Sequence, residues 1–480
     1  MWPPSLVSPV LDRHRRLGTL AVVTNDALTP DLDPARLSAL KCRIAELLPQ
    51  LRQDLEVLTR IPSISLDAFD QAHVEASAQA VAELLRTEGL DVEIVREGGR
   101  PAVIGHADGP EGAPTVMLYA HHDVQPPGAE SDWDSLPFEP TERDGRVYAR
   151  GIADDKAGVM AHVAALRAHS GALPVGVTVF VEGEEEIGSD SLGAILARHG
   201  EKLRADAIVL ADSTNWAVGE PALTTTLRGM VRVVLTVRAL DHGIHSGMFG
   251  GAVPDAITAL VRLIATLHDA EGNVAVAGLM SGVASDLDYS EERLREESGL
   301  LEGVQTIGSG SLLSRLWTKP SITTIGIDAP SVATSSNTLV PQAAAKISMR
   351  IAPDEDPQAA YRLLADHLQA HVPWGVKVDV VLDDQGSGFS ADAKGPVYDQ
   401  ARAAFTDAWG VPPVDIGVGG SIPFVAAFAE RFPDAAILVT GVEDPDTRAH
   451  GANESLHLGE FERVCLAEAV LLERLGLPRA

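Results

Sequence analysis

One stretch constrains the fold of this chain more than any other: VTVFVEGEEEIGS, residues 177–189. Its first half is an apolar, β-branched run, which predicts a strand that is buried on both faces. The run ends in four carboxylates, at Glu182, Glu184, Glu185 and Glu186. A carboxylate at the end of a buried strand must be paired, metal-bound or hydrated, because an isolated buried charge is costly. Taken alone, these carboxylates are also compatible with a solvated acidic turn.

Three other predicted strands also end in residue types that bind metals. They deliver His121, His122 and Asp123 after TVMLYA, Asp212 after AIVLA, and His450 shortly after AAILVTG. A glycine-bounded loop adds Asp154 and Asp155; it lies between the cluster that ends in Asp123 and the cluster that begins at Glu182. Because ligands of open α/β sheets bind outside the carboxyl ends of the strands, we expect these side chains to meet. The set predicts a metal site that holds two ions.

Charge and cysteine content exclude several classes of protein. The 480-residue chain has a formal net charge of −30, which disfavours binding to nucleic acid or to an anionic membrane surface. No apolar run approaches the roughly 18 residues that a membrane-spanning helix needs. Two cysteines, Cys42 and Cys465, support neither a disulfide framework nor a four-cysteine zinc site. We therefore expect a protein that binds neither nucleic acid nor membrane. Near the N-terminus the apolar run LGTLAVV stops at Thr24 and is shorter than a secretory signal peptide requires, so a cytoplasmic location is expected rather than a secreted one.

The order of predicted helices and strands divides the chain into four parts. Residues 1–34 show no clear period and are interpreted as an N-terminal extension. Residues 35–226 alternate helices and strands, which predicts the first part of an α/β domain with a mixed sheet. Residues 227–387 follow the order strand, helix, two strands, helix, strand, which is typical of a ferredoxin-like α+β unit. Residues 388–480 resume the α/β pattern, so the α+β unit is predicted to be an insertion.

Eight short motifs occur along the chain in one order. They are AHHDVQP (120–126), GIADDKAG (151–158), EGEEEIGS (182–189), LAD (210–212), HSGMFGGAVP (245–254), NTLVP (337–341), GGSIP (419–423) and AHGANE (449–454). Together they resemble the zinc aminoacylase/carboxypeptidase family of dinuclear metallopeptidases, which includes carnosinase-like dipeptidases. The resemblance implies that the α/β domain is a zinc-peptidase catalytic domain and that the insertion is a lid and dimerisation domain.

The resemblance also assigns metal ligands. It implies that His121 and Asp212 bind one ion, that Glu186 and His450 bind the other, and that Asp154 bridges the two. Such a mixture of imidazole and carboxylate ligands suits two Zn²⁺ ions per subunit, and it also accepts Mn²⁺ or Co²⁺.

Three further residues receive catalytic roles from the resemblance. Asp123 is expected to fix the imidazole tautomer of His121. Glu185 is expected to be the general base, because a bound metal lowers the pKa of water toward about 7, where a carboxylate can accept the proton. In a dimer, His245 is expected to reach the active site of the partner subunit and stabilise the developing oxyanion. Structural or solvated roles are expected for His122, Glu182 and Glu184.

Substrate-binding roles follow from the same resemblance. Thr338 and Arg350 match positions that hold a free carboxylate of the substrate, and an arginine can bind a carboxylate through two hydrogen bonds. Gly420 and Ser421, at the start of a predicted helix, can offer backbone N–H groups to the same carboxylate.

The chain departs from the usual family pattern in two places. Ala157 follows Lys156, where a glycine is usual, and Gly417 and Val418 stand where Arg-Glu is common. Neither departure removes a predicted metal ligand or the predicted base.

The resemblance implies a dinuclear zinc dipeptidase that cleaves dipeptides or similar small amides with a free C-terminal carboxylate. An N-acyl or N-carbamoyl amino-acid amidohydrolase could be built from the same residues and is the nearer alternative. A non-catalytic metal- or peptide-binding protein is the more distant one. A homodimer formed through the insertion is expected, with small peptides as substrates.

Overall fold

The computed structural model describes residues 31–420 and 422–478. The helices of this part are α1 Pro34–Thr59, α2 Ala72–Thr87, α3 Lys156–His169, α4 Leu192–His199, α5 Ser246–Phe249, α6 Ala256–Ala265, α7 Glu291–Ser298, α8 Leu312–Trp317, α9 Pro357–Ala370, α10 Pro396–Trp409, α11 Pro423–Arg431 and α12 Leu458–Leu475. Most of the predicted N-terminal extension, residues 1–30, lies outside the described residues. Among the described helices, none combines the length and the apolar character needed to cross a membrane.

The strands of this part of the chain range from two to ten residues in length. They are β1 Asp91–Val95, β2 Ala102–Ala107, β3 Thr115–His121, β4 Thr141–Arg143, β5 Arg146–Tyr148, β6 Gly176–Glu182, β7 Ala207–Leu210, β8 Ala222–Leu227, β9 Gly229–Arg238, β10 Ile244–His245, β11 Ser321–Asp328, β12 Thr338–Leu339, β13 Gln342–Ile351, β14 Lys377–Gly386, β15 Phe389–Ser390, β16 Val414–Val418, β17 Ala436–Val439 and β18 Ser455–His457.

A nine-stranded mixed sheet forms the larger unit of the molecule. Its order is β1-β2-β6-β3-β7-β17-β8-β15, and β16 pairs with β8 beside this path. The central strands β6, β3, β7 and β17 run parallel to one another. Their carboxyl ends therefore lie at one edge of the sheet, where ligands of open α/β sheets bind. The predicted α/β fold with a mixed sheet is confirmed.

Helices cover both faces of this sheet. On one face α1, α3, α10 and α12 pack over the sheet, and on the other face α4 and α11 do so. Alternate side chains of β6 serve the two faces, as the period of a strand requires: Val179 joins the first core and Phe180 the second. Every residue of β6 is buried, as the apolar run predicted.

The smaller unit is a four-stranded antiparallel sheet with the order β11-β13-β9-β14. Helices α6 and α9 pack on it around a core of their own. Along the chain its elements follow the order strand, helix, two strands, helix, strand. The chain enters this unit between β8 and β9 and leaves it between β14 and β15. Residues 273–320 are charged and rich in glycine and serine, so the sequence predicts an irregular excursion within this unit; the structure instead contains the short helices α7 and α8 there.

A buried charged pair joins α3 and α12 beneath the parallel strands. The Nδ1 atom of His162 lies 2.7 Å from Oε1 of Glu468, and its Nε2 lies 2.9 Å from the carbonyl oxygen of Tyr119. Both neighbours are acceptors, so both ring nitrogens must donate, which only the protonated imidazole does. Burial lowers the pKa of His162, but Glu468 and the carbonyl group outweigh it, and the pKa lies above its ordinary value.

Replacing Glu468 should therefore destabilise the protein in a pH-dependent way. Glu468→Gln is expected to lower the free energy of unfolding by about 3 kcal/mol near pH 6, because it leaves a buried cation without its counter-ion. The raised pKa means that the stabilisation is complete below about pH 6.5 and is lost as the pH rises through the pKa of folded His162. Denaturant unfolding of both proteins at about pH 6 and about pH 9 measures this difference.

The exposed Glu462 on the same helix provides the matched control, and Glu462→Gln should change the free energy of unfolding little at either pH. An effect of Glu468→Gln that is equally large at both pH values would contradict a charged pair.

Candidate metal centre

The carboxyl ends of the parallel strands bring the predicted ligands together. His121 is the last residue of β3, and Asp212 lies two residues beyond β7. Six side chains form two groups, and within each group the ligand atoms lie within 4.8 Å of one another. The groups are His121, Glu185 and Asp212, and Asp154, Glu186 and His450. They contain all five predicted ligands and, in addition, the predicted base.

Asp154 lies between the two groups. Its Oδ1 is 3.1 Å from Nε2 of His121, and its Oδ2 is 3.1 Å from Nε2 of His450. Each histidine also lies near a second carboxylate. Nε2 of His450 is 3.3 Å from Oε2 of Glu186, and Nε2 of His121 is 3.9 Å from Oδ1 of Asp212. Each oxygen of one carboxylate thus faces a different histidine, which is the arrangement that a bridging ligand requires.

The electrostatics of the cluster require positive charge. Burial raises the pKa of Glu185, Glu186 and Asp212 above their ordinary values, and neighbouring carboxylates raise them further. For Asp212 the value is about 6. Carboxylates packed this closely remain ionised together only if cations lie among them. His121 with Asp212, and His450 with Glu186, each combine an imidazole nitrogen with a carboxylate oxygen, and Asp154 faces both histidines, so these residues fit a pair of divalent cations.

Asp123 contacts both halves of the cluster. The Nδ1 atom of His121 lies 3.1 Å from the backbone oxygen of Asp123 and 3.4 Å from its Oδ1, which leaves Nε2 directed at Asp154. The Asp123 carboxylate also accepts the backbone N–H groups of Glu185 and Glu186, at 3.2 and 3.1 Å. The backbone carbonyl group and the carboxylate of Asp123 therefore both orient the imidazole of His121. The carboxylate also binds the turn that contains Glu185 and Glu186.

A buried glutamate that the sequence interpretation left without a role holds the loop of Asp154. The Glu454 carboxylate accepts the N–H groups of Gly151, Ala153 and Asp154, at 2.9, 3.1 and 3.2 Å. It also lies 2.7 Å from Nη1 of the buried Arg150. The only signal for it in the sequence was its place at the end of the motif AHGANE.

The departure of the loop from the family pattern has a structural explanation. A Cβ atom on Gly158 would lie 2.1 Å from Oδ1 of Asp155, so this position requires glycine. Ala157, by contrast, is buried in the core. The Asp155 carboxylate accepts the backbone N–H of His121 at 3.2 Å, and it does not cap α3.

The three side chains expected to be structural are buried and have protein partners. Nε2 of His122 is 2.9 Å from the carbonyl oxygen of Pro101. The hydroxyl of Tyr119 donates to Glu182 at 2.9 Å. Glu184 accepts two backbone N–H groups, at 2.8 and 2.6 Å. A further side chain that was not predicted, Gln125, donates to Oε2 of Glu186 at 2.7 Å.

Glu443, which follows β17, is another carboxylate that was not predicted. Burial raises its pKa, and the negative charges of Asp154 and Asp212 raise it further. Within the described part of the chain its side chain makes no hydrogen bond or ion pair. Glu443 is therefore a carboxyl group near the predicted ligands that pairs with no side chain in the described part of the chain.

The predicted residues of the smaller unit lie apart from this cluster. His245 and Thr338 are directly opposite each other in the β10–β12 pair, and both are exposed. Nδ1 of His245 accepts the N–H of Gly247 at 3.0 Å, and no contact joins His245 or Thr338 to the metal ligands among the residues described. Arg350 lies on β13. Gly420 is described, whereas Ser421 lies outside the described residues.

Comparison with known proteins places the chain among metal-dependent peptidases. It matches the model of "Peptidase family M20/M25/M40" over residues 117–474. It is similar to the cysteinylglycine-S-conjugate dipeptidase of Corynebacterium striatum, with 34% identity over 431 residues, 88% of this chain and 94% of that protein. It is also similar to the Beta-Ala-His dipeptidase of Rattus norvegicus, with 29% identity over 410 residues, 78% of this chain and 82% of that protein.

A solved structure supports the same relationship. The fold is similar to that of the dipeptidase Dug1p from Saccharomyces cerevisiae, with a TM-score of 0.79 and 25% identity. The similarity covers 92% of this chain and 98% of that chain.

The geometry of Asp154 predicts that both ions depend on one carboxylate. Elemental analysis of zinc-loaded protein should find two ions per chain, and Asp154→Asn should lose both, because the uncharged amide cannot bridge two cations. Glu186→Gln should lose one ion. Asp108→Asn, at a side chain that is 99% exposed, should keep both. Retention of both ions by Asp154→Asn would be incompatible with the bridging role.

Proposed function

The chain belongs to the M20/M25/M40 peptidase family, and we propose that it is a dinuclear metal-dependent dipeptidase. This membership confirms the resemblance drawn from the motifs. The proposed substrates are dipeptides, or similarly small amides, that carry a free C-terminal carboxylate. The observation that carries the proposal is the position of Asp154 between His121 and His450, with Glu185 beside them.

We propose that the two cations are Zn²⁺, with Mn²⁺ or Co²⁺ as substitutes. His121 and Asp212 would hold one, Glu186 and His450 the other, and Asp154 both. Imidazole nitrogen and carboxylate oxygen are ligands that suit these metals. When bound, such ions polarise the scissile carbonyl group and lower the pKa of water.

Glu185 is the proposed general base. It lies in the group of His121 and Asp212, and its backbone N–H is bound to the Asp123 carboxylate, which fixes the turn that presents it. In the proposed reaction Glu185 takes a proton from the attacking water and transfers it to the leaving amine. His245 of a second subunit is proposed to donate a hydrogen bond to the oxyanion that develops on the carbonyl oxygen.

Thr338, Arg350, Gly420 and Ser421 are proposed to bind the substrate carboxylate. The guanidinium group of Arg350 suits this role because it can form two parallel hydrogen bonds to a carboxylate. The pairing of Thr338 with His245 places a proposed carboxylate-binding residue beside the residue proposed to reach the reacting carbonyl group.

Glu443 favours a dipeptide over an N-acyl amino acid. Its carboxylate is unpaired within the described part of the chain and lies close enough to Asp154 and Asp212 for their charges to raise its pKa. A dipeptide brings a protonated α-amino group, which can balance such a charge, whereas an acyl group brings none. The proposed role of Glu443 is therefore to bind the free amino group of the substrate.

The four-stranded unit is proposed to be a ferredoxin-like lid and dimerisation domain. Residues 227–387 would form it, and residues 35–226 and 388–480 would form the catalytic domain. Strand β11 lies at one edge of its sheet and exposes Ile325 and Ile327, which are 53% and 54% exposed. An unpaired edge strand with apolar side chains is a template for pairing with another chain. We propose that β11 forms the homodimer interface.

We propose a cytoplasmic location on the basis of cysteine usage. Cys42 is exposed and Cys465 is buried, and both are free thiols. Free cysteines without a disulfide framework are typical of reducing compartments.

Sedimentation can test the dimer. The wild-type protein should have twice the 50.6 kDa mass of one chain, and Ile327→Asp should yield monomers with little activity, since His245 would then have no partner site. Val381 on β14, at the opposite edge of the same sheet, is 56% exposed and offers the matched control. Val381→Asp should remain dimeric and active. A fully active monomer would refute both the interface and the proposed use of His245.

Substrate profiling tests the proposed reaction itself. Enzyme loaded with zinc, manganese or cobalt should release amino acids from dipeptides, as detected by mass spectrometry, and a chelator should abolish the release. Glu185→Gln should retain two ions per chain and lower kcat roughly 100- to 10,000-fold, the usual contribution of a general base.

Each other outcome of this assay points to a named alternative. Release from N-acetyl or N-carbamoyl amino acids alone would assign the protein to the amidohydrolases. Release from none of these substrates, with any of the three metals, would favour a binding protein that has kept the scaffold.

A further inference from the structure

Arg228 occupies the crossing between the two sheets. It is the single residue between the end of β8, in the nine-stranded sheet, and the start of β9, in the four-stranded sheet. Its backbone N–H donates to the carbonyl oxygen of Val418, the last residue of β16, at 3.3 Å. The turn of Gly419 and Gly420 follows directly. Arg228 therefore lies where the two units meet, beside the turn proposed to bind the substrate carboxylate.

The guanidinium group of Arg228 joins three separate segments. Its Nε donates to the carbonyl oxygen of Gly419 at 3.0 Å, and its Nη1 donates to Oγ of Ser321 at 3.0 Å and to the carbonyl oxygen of Lys319 at 3.2 Å. A longer bond of 3.4 Å reaches the carbonyl oxygen of Arg315. Arg228 is buried, and in the described part of the chain none of its partners is a carboxylate.

The bond to Gly419 orients the next peptide group. In a trans peptide the carbonyl and the following N–H point in opposite directions, so the N–H of Gly420 points away from Arg228. A charged donor on the carbonyl oxygen also polarises the peptide and strengthens its N–H as a donor. Glycine is required at position 419, since a Cβ atom there would lie 2.8 Å from Nη2 of Arg228 and 2.8 Å from the carbonyl oxygen of Leu316.

The bond to Ser321 reaches the other half of the proposed carboxylate site. Ser321 is the first residue of β11 and lies directly opposite Arg350 in the β11–β13 pair. Burial lowers the pKa of Arg228 to about 10, and the charge of nearby Arg350 contributes, so Arg228 remains charged at neutral pH. The two cations thus lie close enough for their charges to interact, and Arg228 connects the turn of Gly420 with the strand pair of Arg350.

We propose that Arg228 is a positioning residue that holds the Gly420 N–H and Arg350 in the relative position needed to bind the substrate carboxylate. It does so without touching the substrate, through the Gly419 carbonyl on one side and Ser321 on the other. The proposal rests on the proposed dipeptidase function and adds to it that carboxylate recognition depends on how the two sheet units are joined.

A binding measurement separates this role from a merely structural one. The probes are a pseudodipeptide in which CH₂–NH replaces the peptide bond, and its C-terminal amide, titrated calorimetrically into zinc-loaded protein. The wild type should bind the acid more tightly than the amide. Arg228→Lys should weaken binding of the acid roughly 10- to 100-fold and leave the amide within about twofold, because one ammonium group cannot reach all the acceptors of the guanidinium.

Steady-state kinetics and a second variant complete the test. For a dipeptide substrate, Arg228→Lys should raise KM and leave kcat within about twofold, since the lost hydrogen bonds concern binding of the carboxylate. Gly419→Ala should also weaken binding of the acid selectively, because its Cβ would displace Arg228. The Gly419→Ala variant can therefore test the proposal if Arg228→Lys does not fold.

Arg474 provides the matched control. It is a buried arginine of α12 that bonds to Asp407 and Gln400, and Arg474→Lys should preserve the wild-type preference for the acid even if the melting temperature falls. Equal weakening of acid and amide in Arg228→Lys, or no weakening of either, would overturn the proposal. Because the probes are not hydrolysed, wild-type protein that binds them but cleaves no dipeptide would refute the proposed function separately.

Discussion

The structure depends on a concentration of negative charge at one edge of a sheet. Four parallel strands, β6, β3, β7 and β17, end at the same edge, and carboxylates follow each of them within a few residues. Their mutual repulsion and burial raise the pKa of Glu185, Glu186 and Asp212, so the apo arrangement is electrostatically unfavourable. Two divalent cations would reverse the sign of this interaction. The same carboxylates would then stabilise the centre, and metal binding would contribute directly to the free energy of folding.

This constraint explains which parts of the site could be predicted from sequence. The ligands stand at strand ends, and strands such as β6 have a strong local signal in their apolar, β-branched residues. The strand-end patterns therefore indicated His121, Asp212 and the glutamate cluster that contains Glu186, whereas the choice of Glu186 as a ligand came from the family resemblance. The mixed sheet was predictable for the same reason, since its strands and helices alternate along the chain with clear periods.

The residues that were not predicted act over long distances in sequence. Glu454 binds the N–H groups of residues 151, 153 and 154, about 300 positions away, and Arg228 bonds to Gly419, 191 positions away. No local pattern records such contacts, because they arise only when the strands assemble. The helices α7 and α8 were missed for another reason: at 8 and 6 residues, they are too short for a reliable amphipathic period.

The predicted metal ligands and the groups proposed to bind substrate are held by different parts of the molecule. The predicted metal ligands and Glu185 are held by strand ends and by the buried acceptors Asp123 and Glu454, which fix the turn of Glu185 and the loop of Asp154. The groups proposed to bind substrate come from the smaller unit and from a turn joined to it through Arg228. Substitutions among the groups proposed to bind substrate can therefore change substrate preference without disturbing the charge balance among the predicted metal ligands. Such a separation is compatible with the different names of two similar chains, a cysteinylglycine-S-conjugate dipeptidase and a Beta-Ala-His dipeptidase.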